Sequence, residues 1–129
     1  EVLAAEQAAN RCDATLIARL RQVNARHRTA IEQGDMSAVL THNKEFHFLL
    51  YRASGLPSLF DLIENQWVRV GPTLNLLYPQ YTRSFAGNQC HDRMIDGIES
   101  RNTPMLRDAL VADLVAAERE LLKVLRHAA

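Results

Sequence analysis

The sequence predicts an all-α fold, an antiparallel bundle of six or seven helices, and three observations carry that prediction. Apolar residues recur at spacings of three and four along nearly the whole chain, which is the period of one helix face. No stretch alternates apolar and polar residues for long enough to make a strand. Gly and Pro number only 5 and 4 among 129 residues, and they fall where helices would end.

Taken in order, residues 1–11 read as a short Ala-rich helix. Asp13 can cap a second helix, because its carboxylate can accept from a free amide of the first turn. The apolar stripe of that helix runs Leu16, Leu20, Val23, His27, Ala30 and Ile31. Gly34 stops it, supplying the left-handed conformation that a helix C-terminus favours. Asp35 then caps a third helix to about Ser54, with Val39, Asn43, Phe46, Leu50 and Ala53 facing inward. Gly55 ends that helix, and Pro57 suits the first turn of the fourth.

The fourth helix carries Leu59, Phe60, Ile63, Trp67 and Val70. Pro72 should kink or break it, since proline has no amide hydrogen and clashes with the preceding turn. Leu74 to Tyr78 would continue beyond the kink until Pro79 closes the segment, leaving residues 79–84 as a loop. A fifth helix, near Phe85 to Ser100, places His91, Met94, Ile95 and Ile98 on one side. Thr103 as cap and Pro104 at the first helical position start the last helix. Its inner face is Leu106, Ala109, Leu110, Asp113, Ala117, Leu121 and Val124.

Length and composition bound the function. A chain of 129 residues is read as one domain, residues 1–129, with a substantial core. Lys plus Arg and Asp plus Glu balance at 15 each. That argues against this segment gripping a phosphate backbone, which needs a basic face. The arginines from Arg19 to Arg28 are dispersed around their helix as a solvated face. No apolar run is long enough to span a membrane, and residues 1–12 lack the apolar core of a signal peptide. Cys12 and Cys90 are too few for a disulfide scaffold, so reduced thiols in a cytoplasmic protein are expected. The chain opens on Glu1 without Met and enters helix-forming sequence at once, from which a missing N-terminal part is expected. No Gly-rich phosphate loop or nucleophilic triad is discernible; Ser54 and Ser58 lack the strand-turn-helix setting of such a nucleophile.

Three polar side chains occupy positions where the helix period demands apolar ones: His47, His91 and Asp113. Asn43 precedes His47 by four residues, so both lie on one helix face. Asp113 is flanked at helical spacing by Ala109, Leu110, Ala116 and Ala117. A carboxylate buried there without a partner costs several kcal/mol. A bound cation, an Arg partner or an aqueous cavity would each relieve that cost. Imidazole nitrogen with carboxylate oxygen suits zinc, nickel, iron, cobalt or manganese. The bland alternatives are core histidines bonded to carbonyls and an Asn43 that cross-braces two helices. His27, His42 and His127 are weaker ligand candidates.

The segment Asn43-Lys44-Glu45-Phe46-His47, followed by Leu50, Ala53, Ser54 and Gly55, resembles a family signature. It is similar to the effector-binding C-terminal (FCD) domain of FadR-type regulators in the GntR family. His91, Ile95, Ile98, a short polar turn, Ala109 and Asp113 match the later part of that domain in order and spacing. Glu1, Ala4 and Ala5 resemble its first helix, so the likeness spans essentially the whole chain. The family more often has Asp where this chain has Asn43, and a third His where it has Asp113. Both substitutes can ligate, and the net ligand charge is unchanged. Leu56-Pro57 also stands where the family favours Asn.

The resemblance implies a helical bundle that binds a divalent transition metal (zinc, nickel, manganese or iron) through Asn43, His47, His91 and Asp113. It further implies a small carboxylate effector, a homodimer, and DNA contact only through an N-terminal winged helix-turn-helix domain outside this chain. Arg69 is the candidate clamp for the effector carboxylate, because its planar fork suits that group. The expected protein is not an enzyme. Two alternatives from other classes are a metal-dependent hydrolase and a metal-free helical interaction module. Against the hydrolase, Glu45 should point away from His47 and no other general base is evident.

Overall fold

A computed structural model of the chain describes residues 1–77 and 84–128. Among them are six α-helices and one 3-10 turn: α1 (Val2–Asn10), α2 (Ala14–Gln33), α3 (Met36–Arg52), α4 (Pro57–Leu74), the turn Asn75–Leu77, α5 (Ala86–Glu99) and α6 (Thr103–Ala128). No described residue is in a strand. Among the described residues no helix is long and apolar enough to cross a membrane.

Local chemistry sets most of the boundaries. The Asp13 carboxylate accepts from the Leu16 amide at 2.8 Å, and Asp35 accepts from Ala38 at 3.0 Å. Each satisfies one amide that the helix leaves free at its start. Gly34 ends α2 at φ 67°, in the left-handed region that a Cβ penalises. The cap of α6 lies one residue earlier than the sequence suggested. Asn102, not Thr103, accepts from an amide of the first turn, that of Met105 at 3.1 Å. Thr103 and Pro104 are therefore both inside the helix.

Of the kink or break expected at Pro72, the break does not occur. The α-helix runs through it to Leu74 and tightens into the 3-10 turn only afterwards. Gly71 precedes the proline, and without a Cβ it meets less of the crowding that usually drives that position out of the helical region. Tyr78, Pro79 and nearly all of the loop read at 79–84 lie outside the described residues.

Antiparallel neighbours α2 and α3, joined at Gly34-Asp35, and α5 and α6, joined at Ser100–Asn102, are the two best-packed pairs. α2 also lies against α5, closing a four-helix core, while α1 sits on α3 and α6. Phe46, Leu20, Leu50, Tyr51, Met94, Ile95, Leu106 and Leu110 are completely buried in one continuous cluster. Each large apolar side chain removed from water there stabilises the fold by about 1.5–3 kcal/mol. α1 enters through Ala4, Ala5 and Ala8, whose small side chains let its backbone come close. α4 is packed more loosely: only Ile63 is fully buried, and Leu62, Val68 and Val70 are exposed.

Gly97 permits the tight approach of α5 to the start of α6. A Cβ there would lie 2.7 Å from the Leu106 backbone nitrogen and 3.2 Å from the Asn102 carbonyl oxygen. Neither backbone atom can step aside. Gly97→Ala is therefore expected to destabilise the fold by about 1–3 kcal/mol, read from chemical unfolding curves of the two proteins.

Candidate metal centre

His47 on α3, His91 on α5 and Asp113 on α6 converge in the core, where each is less than 5% exposed. His47 Nε2 is 2.9 Å from Asp113 Oδ2, His91 Nε2 is 3.2 Å from the same oxygen, and the two Nε2 atoms are 3.3 Å apart. Three helices distant in sequence thus bring three donor atoms to one point. Asn43 is half-buried and lines the same cavity as His47 and Asp113.

The rings are held from behind. Phe46 stacks on His91 with centroids 4.0 Å apart and planes 9° from parallel. His91 Nδ1 is 3.0 Å from Asn24 Oδ1. His47 Nδ1 is 3.0 Å from the Tyr51 hydroxyl. Burial, and next the negative charge of Glu1, raise the pKa of that hydroxyl. An amide oxygen can only accept, which places the His91 proton on Nδ1. In its neutral form that ring then aims an Nε2 lone pair toward Asp113 and His47.

Such an arrangement is suited to a cation. Burial lowers the His91 pKa, outweighing the pull of the neighbouring carboxylate, so the neutral ring is favoured. Burial opposes ionisation of Asp113, yet the adjacent imidazoles of His47 and His91 hold the carboxyl below its usual range. The His91 lone pair and the Asp113 oxygen, 3.2 Å apart, repel one another unless a proton or a cation lies between them. Metal–nitrogen bonds of about 2.0–2.1 Å put adjacent donors about 2.8–3.4 Å apart, and the observed separations fall in that span. The donor set fits a divalent transition metal.

A cavity of about 280 Å³ opens beside Asp113. Leu40, Val70, Leu74, Leu114 and Leu121 give it apolar walls, and Glu1, Gln66, Trp67 and Glu118 add polar groups. The Trp67 indole nitrogen donates to Glu1 at 2.8 Å, and its ring lies 5.5 Å from that of His47. Among the described residues no Lys or Arg lines this space.

The other sequence candidates are placed elsewhere. Arg69 is exposed on α4, between the lining residues Trp67 and Val70 but not itself in the lining. Glu45 is exposed and pairs with Arg26 and His42. His127 is exposed near the end of α6. Arg19, Arg21, Arg26 and Arg28 are all exposed on α2. His27 is buried but lies behind His91, with ring centroids 5.1 Å apart. The sequence reading passed over Asn24, Asn88 and Tyr51. Helical spacing offered the signal: Asn24 falls inside the stripe between Val23 and His27, Asn88 precedes His91 by three, and Tyr51 follows His47 by four.

The model of the FCD domain family matches residues 1–116, which include all four candidate ligands. A curated relative, the HTH-type transcriptional regulator McbR of Escherichia coli (strain K12), is 37% identical over 62 residues. Those are 48% of this chain and 28% of that protein. The solved structure of E. coli McbR/YncC superposes with a TM-score of 0.85 at 22% identity, covering 99% of this chain and 60% of that one. It supports the fold. The chain spans less than two thirds of the length of either.

The buried histidines make stability depend on pH. Burial, and next the neighbouring His91, push the His27 pKa down to about 3, whereas the unfolded chain titrates near 6.5. The unfolded state therefore binds protons first as pH falls. The stability contributed by neutral His27 is complete above about pH 6.5 and is lost progressively toward pH 3. Melting of the metal-free chain should fall steadily across that window, by up to about 1.4 kcal/mol per pH unit from this one ring. A melting temperature that stays level from pH 7 to 4.5 contradicts a neutral buried His27.

Proposed function

The chain belongs to the FCD domain family, and from that premise we propose that it is the effector-sensing and dimerisation domain of a bacterial transcription regulator. The regulator is of the GntR type, in its FadR-like branch, and works in the cytoplasm. DNA contact belongs to a winged helix-turn-helix domain on the N-terminal side. The similarity to McbR, an HTH-type transcriptional regulator, supports this reading. The role we read is sensing rather than catalysis: Glu45, the base nearest His47 in sequence, is exposed and paired with Arg26 and His42.

The observation that carries the proposal is the convergence of His47, His91 and Asp113. These residues, with Asn43 as a fourth, neutral oxygen donor, would hold a divalent ion of zinc, nickel, manganese or iron. The ion supplies a Lewis-acidic positive charge at the inner end of the cavity. The effector is a small carboxylate. Glu1, Asp113 and Glu118 make the described lining acidic, so an anion entering it needs that charge to offset them. Asn43 and Gln66 can donate to carboxylate oxygens, while Leu114, Leu121 and Val70 exclude water around the rest of the ligand. Arg69, the only basic residue of α4, is the candidate for a second contact at the outer side of that helix. Exposed Leu62 and Val68 on α4 and Leu122 and Leu125 on α6 support a homodimer, since burial of such groups drives association. Effector binding would shift DNA affinity only as far as it discriminates between two arrangements of the domains.

Trp67 is the single tryptophan of the chain, so its fluorescence reports the site directly. Zinc or nickel added to the chelator-stripped protein should change that emission and raise the melting temperature. At 100 times Kd the stabilisation is about 2.7 kcal/mol. His47→Ala and His91→Ala should each weaken metal binding at least tenfold. Calorimetry with small carboxylates should give heat only after metal is restored. If no transition metal copurifies or rebinds, and both alanine variants respond like the parent protein, the reading fails.

A further inference from the structure

We propose that Asn24 is a positioning residue that imposes one tautomer on His91, so that the ring presents an Nε2 lone pair, not an Nε2 proton, to His47 and Asp113. Its purpose rests on the metal reading above; its chemistry follows from hydrogen bonds alone.

The orientation of the Asn24 amide is fixed by its partners. Its nitrogen lies 2.7 Å from a carboxylate oxygen of Asp92 and 3.2 Å from the backbone carbonyl of Asn88. Both can only accept. Its oxygen lies 2.9 Å from the side-chain nitrogen of Asn88. That nitrogen is itself fixed by donating to the Asn24 backbone carbonyl at 2.9 Å. Turning the Asn24 amide over would set oxygen against the Asp92 carboxylate and hydrogens against the Asn88 amide. The Asn24 oxygen therefore faces His91 Nδ1, at 3.0 Å, and that nitrogen must carry the hydrogen.

The imposed form is the one this pocket would not otherwise select. With a free choice, His91 would place its hydrogen on Nε2 and donate to the Asp113 carboxylate at 3.2 Å. A buried hydrogen bond to a charged oxygen is worth more than one to a neutral amide. That hydrogen would occupy the position of a metal bond. Asn24 opposes this with an acceptor that is 3% exposed and joined to Asn88, which is 1% exposed. Losing the bond from His91 would strand the hydrogen-bonding capacity of a buried ring nitrogen. The charge of Asp92 polarises the Asn24 amide. Phe46, stacked on His91, holds the ring plane in place. Outer partners of this kind typically change metal affinity 10–100-fold when removed.

The test uses the 129-residue chain with 15N-labelled histidine, stripped of metal, at pH 8. Long-range 1H–15N correlations assign the His91 tautomer. The expected result is Nδ1–H in the parent chain and Nε2–H in Asn24→Leu, with zinc affinity in Asn24→Leu at least tenfold weaker by chelator competition. The exchanged pair Asn24→Asp/Asp92→Asn restores an acceptor behind His91 at unchanged net charge. It should keep Nδ1–H and bind zinc within threefold of the parent or tighter. A filler role for Asn24 would lower melting temperature without moving the tautomer. His91 protonated on Nε2 in the parent chain overturns the proposal, and so does an unchanged tautomer in a folded Asn24→Leu. If Asn24→Leu does not fold, the parent spectrum and the exchanged pair decide. Zinc that fails to bind a parent chain showing Nδ1–H supports the tautomer assignment and overturns the metal reading instead.

Discussion

The Asp113 carboxylate is the constraint around which this molecule is arranged. It sits at 4% exposure on α6, one turn beyond Ala109 and Leu110, in a place the helix period reserves for an apolar side chain. An ionised group taken out of water without compensation costs several kcal/mol. The fold answers by bringing α3 and α5 alongside, so that His47 and His91 face the same oxygen. The helix core is thereby committed to a geometry that makes little sense as a hydrophobic interior and good sense as a cation site.

A second layer of polar groups makes that geometry rigid. Behind His91 stand Asn24, Asn88 and Asp92; behind His47 stands Tyr51. Among the described residues no buried polar side-chain atom lacks a partner; at the centre the three donor atoms are one another's partners. A closed polar network inside a core orients its members far more strictly than apolar packing does. The cavity of about 280 Å³ on the Asp113 side then gives a ligand access to the same point. Glu1 belongs both to that cavity wall and to the start of α1, so occupancy of the cavity and the position of the first helix share a residue.

Much of this was legible in the sequence, for identifiable reasons. Asp13, Gly34, Asp35 and Pro57 act through their immediate neighbours, and they start or stop helices where such residues should. His47, His91 and Asp113 were conspicuous because a polar residue in an apolar stripe violates a simple period. Asn24, Asn88 and Tyr51 escaped notice although they obey the same rule. Asn24 widens a stripe already complete with Val23 and His27, and Tyr51 passes for an ordinary aromatic core residue. Pro72 does not break α4, which runs to Leu74 before tightening into the 3-10 turn. The cap of α6 moved from Thr103 to Asn102 because adjacent residues of similar chemistry compete for one amide, and only backbone geometry decides between them.

The sequence by itself determined the helices, the stripe of each that turns inward, and the set of polar residues that had no business there. These follow from local periodicity and capping, whose range is about one helical turn. The tertiary structure alone decided that residues 47, 91 and 113 meet within 3.3 Å, that Arg69 stands outside the cavity lining, and that Asn24 fixes His91. Those outcomes depend on how helices separated by tens of residues cross. That crossing is set by the fit of many side chains at once, and no local pattern encodes it.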